Sequence, residues 1–250
     1  VATFNVENLD PGDGARFAAL ANVIVNHLAS PDILALEEVQ DNNGPISDTV
    51  VAADVTLNTL IAAIVNAGGP TYQFQLVNPA AHQDGGEPGG NIRVAFFFRA
   101  DRGVGFVDRP GATATTANTV QNVNGAPELQ FNPGRIDPIN PAFVTSRKPL
   151  AGEFTFGGRK LFVIANPFNS TGGDHPLFGR LQPPVLTSEN QRNQQAAVVA
   201  GFVNQIRAVD ANARIIVLGD LNDFEYSTPV STLEAAGLTM PDAPTWADIE

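Results

Sequence analysis

Apolar residues in this chain recur with two periods. Short β-branched, aliphatic and aromatic runs bounded by turn residues predict strands, and apolar residues at every third or fourth position predict amphipathic helices. Val1 to Asn8 alternates into a strand that ends in polar residues. A helix is predicted from about Ala15 to Ala29, with Phe17, Leu20, Ala21, Ile24 and Leu28 on one face. Pro31 to Asp41 reads as a second, buried strand closing on Glu37, Glu38 and Asp41. A second helix spans about Val55 to Asn66, with Leu57, Leu60, Ile61 and Ile64 as its stripe, and stops at Gly68-Gly-Pro. Tyr72 to Val77 and Ile92 to Arg99 read as strands on either side of a polar, glycine-rich loop, His82 to Gly90.

Residues 101–143 lose this regularity. They are rich in Thr, Asn, Gly and Pro and are predicted as a long surface excursion carrying Arg102, Arg109 and Arg135. The pattern resumes with strands over Leu150–Phe156 and Lys160–Asn166. A loop then runs from Thr171 to Leu186, before a long helix that begins near Ser188. Ser188 and Gln191 have the spacing of a capping box. After the next strand, a short helix over Pro229–Ala236 is capped by Ser227 or Thr228 and stopped by Gly237. The two halves repeat each other in outline. Two mixed sheets packed face to face with helices outside would cover every apolar face, within a single domain over 1–250.

The stretch from Arg214 to Asp223 carries the densest candidate chemistry. Ile215 to Leu218 reads as a strand buried on both faces, ending in Gly219, Asp220, Leu221 and Asn222. Gly219 allows a tight turn or a close approach to a ligand. At strand spacing Asp220 and Asn222 point to one side. A carboxylate and a carboxamide presented together suit a metal, a water and a phosphate oxygen; a merely structural Asp/Asn turn is the plainer alternative. By the same alternation Glu37 and Glu38 point to opposite faces, so that only one of them faces a given cleft.

Charge narrows the picture. The chain has 26 acidic against 14 basic residues, a net −12, and its only lysines are Lys148 and Lys160. It has no general electrostatic pull toward nucleic acid, so a polyanionic substrate must be met by local cations or a bound metal. The absence of cysteine excludes disulfides, zinc–thiolate sites and a thiol nucleophile, and it fits a bacterial-type secreted protein. No apolar run is long enough to span a membrane. The chain starts at Val1 with no signal-peptide pattern and reads as trimmed or partial. The 82–90 loop has no lysine at P-loop spacing, which excludes a nucleotide cradle of that kind.

The strand ends together offer Asn5, Glu38, Arg147, Asn166 and the Asp220/Asn222 pair. The motifs around them are Thr3-Phe-Asn-Val-Glu-Asn8, Pro31-Asp-Ile-Leu-Ala-Leu-Glu-Glu38, Asn91-Ile-Arg-Val-Ala-Phe-Phe-Phe-Arg99, Ser146-Arg-Lys-Pro-Leu150, Val163-Ile-Ala-Asn166 and Leu218-Gly-Asp-Leu-Asn222. The sequence here resembles the endonuclease/exonuclease/phosphatase superfamily, the family of pancreatic deoxyribonuclease. Asn132-Pro-Gly-Arg-Ile-Asp137 and the stretch from Gln182 to Gln195 look like its extracellular bacterial nuclease branch. The resemblance implies a four-layer αββα sandwich of the α/β (α+β) class, with the site at one end of the two sheets. It implies Glu38 as the main ligand of Mg²⁺ (or Mn²⁺ or Ca²⁺), with Asn5 as a further ligand or its orienter. Asp220 would orient or deprotonate the attacking water. Asn222 would help hold the phosphate or the metal's water, and Arg147 and Asn166 would contact the phosphate. The implied activity is metal-dependent phosphodiester hydrolysis by a secreted nuclease, with DNA or RNA as substrate, or a phospholipid or inositol phosphate.

Two positions depart from the family pattern. Where the family has Asn-His-Phe, this chain has Asn166-Pro167-Phe168, and Pro167 has no donor to offer. His175, eight residues on, is a candidate substitute. The family also carries an Asp-His pair on a final strand, and no histidine follows Asn222 here. The expectation is that a C-terminal segment or a partner chain completes the sheet. The alternative to an active hydrolase is a catalytically degenerate phosphate-ligand-binding or structural module of a larger secreted protein.

Overall fold

In the computed structural model, which describes residues 1–176 and 178–241, the two periodicities resolve into two packed β-sheets and four α-helices among the described residues. The first sheet has the order β1 (Ala2–Leu9), β2 (Ile33–Val39), β4 (Arg93–Phe98), β3 (Gln73–Leu76). Only β1 and β2 run parallel, linked through α1 (Arg16–Asn22) and a π turn over Val23–His27. The helix α2 (Asp54–Asn66) leads from β2 to β3. The second sheet has the order β11 (Ile215–Leu218), β10 (Arg159–Ala165), β9 (Leu150–Phe156), β5 (Val104–Phe106), and β8 (Gly134–Arg135) also pairs with β9. Its parallel pair, β10 and β11, is connected by the long α3 (Thr187–Val209). A hairpin of β6 (Val120–Val123) and β7 (Ala126–Leu129) and the helix α4 (Thr228–Ala235) complete the elements.

Strand alternation explains the layering. Leu34 and Leu36 of β2 join Phe17, Ile24, Leu57 and Leu60 in a core beneath α1 and α2. Their neighbours Ile33 and Ala35 face the other way, into a core between the sheets with Phe96, Phe98, Leu150, Phe154 and Val163. A third core packs Phe162 and Ile164 of β10 against Val199, Phe202 and Val203 of α3 and Leu233 of α4. Three cores separate four layers, helices–sheet–sheet–helices. Phe154 is the hub of the middle core, with Phe96, Phe98 and Phe106 all edge-on to it at centroid distances of 5.5, 5.8 and 5.2 Å.

Three details differ from the sequence expectation. The 101–143 stretch, expected as a surface excursion, contributes β5 and β8 to the second sheet and the β6–β7 hairpin; Leu129, Ile136, Ala142 and Phe143 are buried. Its strands are two to four residues long, too short for a periodic signal. The strand β11, expected to be buried on both faces, pairs only with β10 among the described residues, and all four of its residues are half-buried. At the start of α3, Ser188 lies inside the helix rather than capping it. Asp174, from the preceding loop, accepts the Ser188 backbone N–H at 2.8 Å and its hydroxyl proton as well. That carboxylate lies far from the capping-box spacing in sequence.

Candidate active site

The parallel pairs β1/β2 and β10/β11 deliver their C-terminal ends to one end of the sandwich, and a connected set of polar groups meets there. Both strands of the first sheet's parallel pair, β1 and β2, break regularity at this point. The β1–β2 register shifts between Asn5 and Leu9, and the β2–β4 register shifts between Leu36 and Val39. Glu7, Asn8 and Glu38 take positive φ, 49°, 57° and 60°. Bulges of this kind re-aim side chains.

The break at Glu38 cancels the alternation that would send its side chain and that of Glu37 to opposite faces, and both glutamates join the site. Glu37, fully buried, accepts the Asp220 backbone N–H on both carboxylate oxygens, at 3.0 and 2.9 Å, and the Thr3 hydroxyl at 2.7 Å. Glu38 lies 3.5 Å from the Arg147 guanidinium. Burial pushes the Glu37 carboxyl above its ordinary range. The Thr3 hydroxyl and the Asp220 N–H pull it down, the Asp220 charge raises it further and Arg147 opposes that.

Asp220 is the centre of the network. Its Oδ2 accepts the Asn5 amide at 3.2 Å and its Oδ1 accepts the Asn222 backbone N–H at 3.0 Å. Asn5 is itself fixed, its Oδ1 accepting the Glu7 N–H at 2.8 Å. The strand β11 stops at Leu218, so Asp220 and Asn222 sit on a turn, not at strand spacing, and Asn222 has φ of 51°. Asn222 donates its side-chain amide to the Phe168 carbonyl at 3.1 Å, and Arg147 donates to the same oxygen at 3.0 Å. One backbone carbonyl thus ties the Asp220 turn to Arg147, and through it to Glu38. The Arg147 Nε is buried with no partner among the described residues.

Gly219 makes the turn feasible. Its φ is 140°, and a Cβ there would lie 2.3 Å from the Asn166 carbonyl oxygen and 2.7 Å from that residue's carbonyl carbon and nitrogen. The close approach is therefore to the protein's own backbone at the end of β10.

The structure brings Asn5, Glu38, Arg147, Asp220 and Asn222 into one network. Asn166 lies at its back: fully buried, it spends its side-chain amide on the Ile164 and Leu218 carbonyls, at 3.0 and 3.4 Å, and its Oδ1 has no partner among the described residues. Pro167 is buried beside it. His175 faces a cavity that Asn222 also lines, and its Nδ1 accepts the Val185 N–H at 3.2 Å. Sequence reasoning missed Glu37 as a positioning group. The doubled glutamate is the available signal, and strict strand alternation allows only one of the pair to face the cleft. The Phe168 carbonyl left no signal at all, because any residue supplies one.

No group of three or more His, Cys, Asp or Glu side chains with metal-binding geometry occurs among the described residues. The donors present are hard oxygens, the Glu38 carboxylate and the Asn5 amide, beside the Asp220 carboxylate. Such a set fits Mg²⁺, which is held by one or two carboxylates and completes its shell with waters and substrate phosphate oxygens.

A model of the Endonuclease/Exonuclease/phosphatase family matches residues 2–246. Among solved structures, a functionally unknown conserved protein from Enterococcus faecalis V583 aligns with a TM-score of 0.52 at 14% identity, covering 93% of this chain and 70% of that one. The human Nocturnin catalytic domain with bound sulfate anion aligns with a TM-score of 0.48 at 15% identity, covering 91% and 66%. A humanized D. rerio TDP2 aligns with a TM-score of 0.45 at 18% identity, covering 92% of this chain; the chain spans 64% of its length, under two thirds. At these identities the likeness is one of fold. No curated protein matches the chain in sequence.

Proposed function

The chain belongs to the Endonuclease/Exonuclease/phosphatase family, whose members hydrolyse phosphate esters, and from that premise we propose that it is a divalent-metal-dependent phosphodiesterase acting on nucleic acid outside the cell. One observation carries the reading: the hydrogen-bonded network that joins Asn5, Asp220, Asn222, the Phe168 carbonyl, Arg147 and Glu38 across both sheets. The absence of cysteine and the two segments that resemble extracellular nucleases support secretion.

Glu38 and Asn5 would hold the cation. When bound, it would offset charge that builds up on the phosphate in the transition state. The chain's own groups do the rest. Asp220 is locked by three contacts, through Asn5, Glu37 and Asn222, so its carboxylate is aimed before substrate arrives. It orients the attacking water and takes its proton. The Arg147 guanidinium supplies positive charge and N–H donors for a phosphate oxygen, while one of its arms stays anchored on the Phe168 carbonyl. Asn222, whose amide already donates to the Phe168 carbonyl, would help hold a further phosphate oxygen or a water beside the cation. Pro167 leaves the family's histidine donor missing, so turnover is slow.

Pro167 also favours a second reading, in which the site takes up a metal and a phosphate ligand without cleaving it. Mn²⁺ binding followed by calorimetry tests what both readings share. We expect one ion per chain, and affinity at least about tenfold weaker in Glu38→Gln, since even outer-sphere groups of a metal site count for this much. Uptake unaffected by Glu38→Gln would remove the metal site from both readings.

A further inference from the structure

Next to the network lies a cavity of about 780 Å³ that shares Asn222 with it. This volume lies in the range of pockets that take small organic molecules. Phe224 and Tyr226, which follow Asn222 in the chain, line it together with His175, Glu189 and Arg192. The two rings are parallel to within 3°, with centroids 5.3 Å apart. They nevertheless remain 57% and 77% exposed. An aromatic pair left in solvent and rimmed by polar groups marks a surface that meets a ligand.

The pair is firmly mounted. Ser227, at the start of α4, donates its N–H to the Phe224 carbonyl at 3.0 Å. Asp223 accepts Arg192 Nε at 2.8 Å, and Arg192, buried in α3, also donates to Ser188 Oγ at 2.5 Å. Charge then decides what could lie on the rings. The carboxylates lining the cavity are Asp174, Glu189 and Asp223. Arg192, the one lining arginine among the described residues, is already engaged by Asp223 and lies 3.8 Å from Asp174. A further phosphate would meet net negative charge here, and a neutral planar ring would not.

We propose that Phe224 and Tyr226 form a stacking platform for an unpaired nucleobase beside the scissile phosphate, so that the substrate is single-stranded or locally unpaired nucleic acid. The proposal rests on the phosphodiesterase reading above. Stacking on aromatic side chains is insensitive to charge and tolerates every base. It therefore suits a chain of net charge −12, which has few cations for phosphate contacts.

The test compares two labelled phosphorothioate decamers whose backbones resist hydrolysis, one of thymidine and one of abasic spacers of equal charge, titrated with the full chain in Mg²⁺ by fluorescence anisotropy. The chain is expected to bind the thymidine decamer about ten- to a hundred-fold more tightly. Phe224→Ala with Tyr226→Ala should bring that ratio to about one, while Tyr226→Trp keeps it, as any flat aromatic face can stack a base. A ratio of about one in the unaltered chain overturns the proposal. So does a ratio that survives the double substitution, or failure to bind either decamer. Cleavage of an ordinary abasic phosphodiester decamer reports on the phosphodiesterase reading separately. Cleavage without base preference would remove the platform and leave that reading standing.

Discussion

Asp220→Ala is expected to cut metal-dependent phosphodiester cleavage by about 10²–10⁴-fold, the contribution typical of a positioned general base. The loss should fall on kcat. Arg147 and Asn222, which would carry phosphate binding, keep their contacts to the Phe168 carbonyl, so KM should change little. The fold should survive, because Glu37 bonds to the Asp220 backbone N–H and not to its side chain. Asp220→Asn is the closer probe of chemistry. It retains an acceptor for the Asn222 N–H but sets an amide nitrogen against that of Asn5 and removes the basic oxygen. Steady-state kinetics in Mg²⁺, with circular dichroism as the check on folding, measure both. Activity of Asp220→Ala within about tenfold of the parent would place the base elsewhere, given the usual size of such losses.

Gly219→Ala is expected to destabilise the fold by upward of about 4 kcal/mol, a size reserved for backbone strain and severe overpacking. Two independent costs act at this position. The φ of 140° is one that residues with a Cβ rarely adopt, and the added carbon would sit 2.3 Å from the Asn166 carbonyl oxygen. The atoms in the way are backbone atoms at the end of β10, which cannot swing aside as a flexible side chain can. Relief requires β11 and β10 to part, which moves Asp220 off Glu37. For a domain of this size, a loss of that order lowers the thermal midpoint by about 8–16 °C. A variant melting within about 2 °C of the parent would mean the two backbones do not approach so closely.

Much of the architecture was legible because long elements carry their own periodicity. The stripe Leu57, Leu60, Ile61, Ile64 identified α2 to within a residue, and the apolar runs marked β4, β9 and β10. What escaped was short, bent or made by backbone. The strands inside 101–143 are too brief to show alternation. The half-buried state of β11 depends on which strand neighbours it, a fact of topology. At the site, motif resemblance named five residues that do converge. It also named Asn166, whose amide is turned to the strand backbones and not to the cleft. The role of Glu37 is hidden by strand alternation, which allows only one of the two glutamates to face the cleft and which fails at the positive φ of Glu38. The Asp174 cap on α3 was hidden by a sequence separation of fourteen residues.

The most direct measurement is nicking of a supercoiled plasmid and of a single-stranded DNA circle by the purified chain, titrated with Mg²⁺ and Mn²⁺ beside Pro167→His. The proposed function predicts slow, ion-dependent nicking by the unaltered chain. It predicts a rise of about 10²–10³-fold in Pro167→His, the usual worth of one restored transition-state donor. Nicking by neither chain at any ion concentration would contradict it, and would leave the network as a site that binds a metal and a phosphate without cleaving.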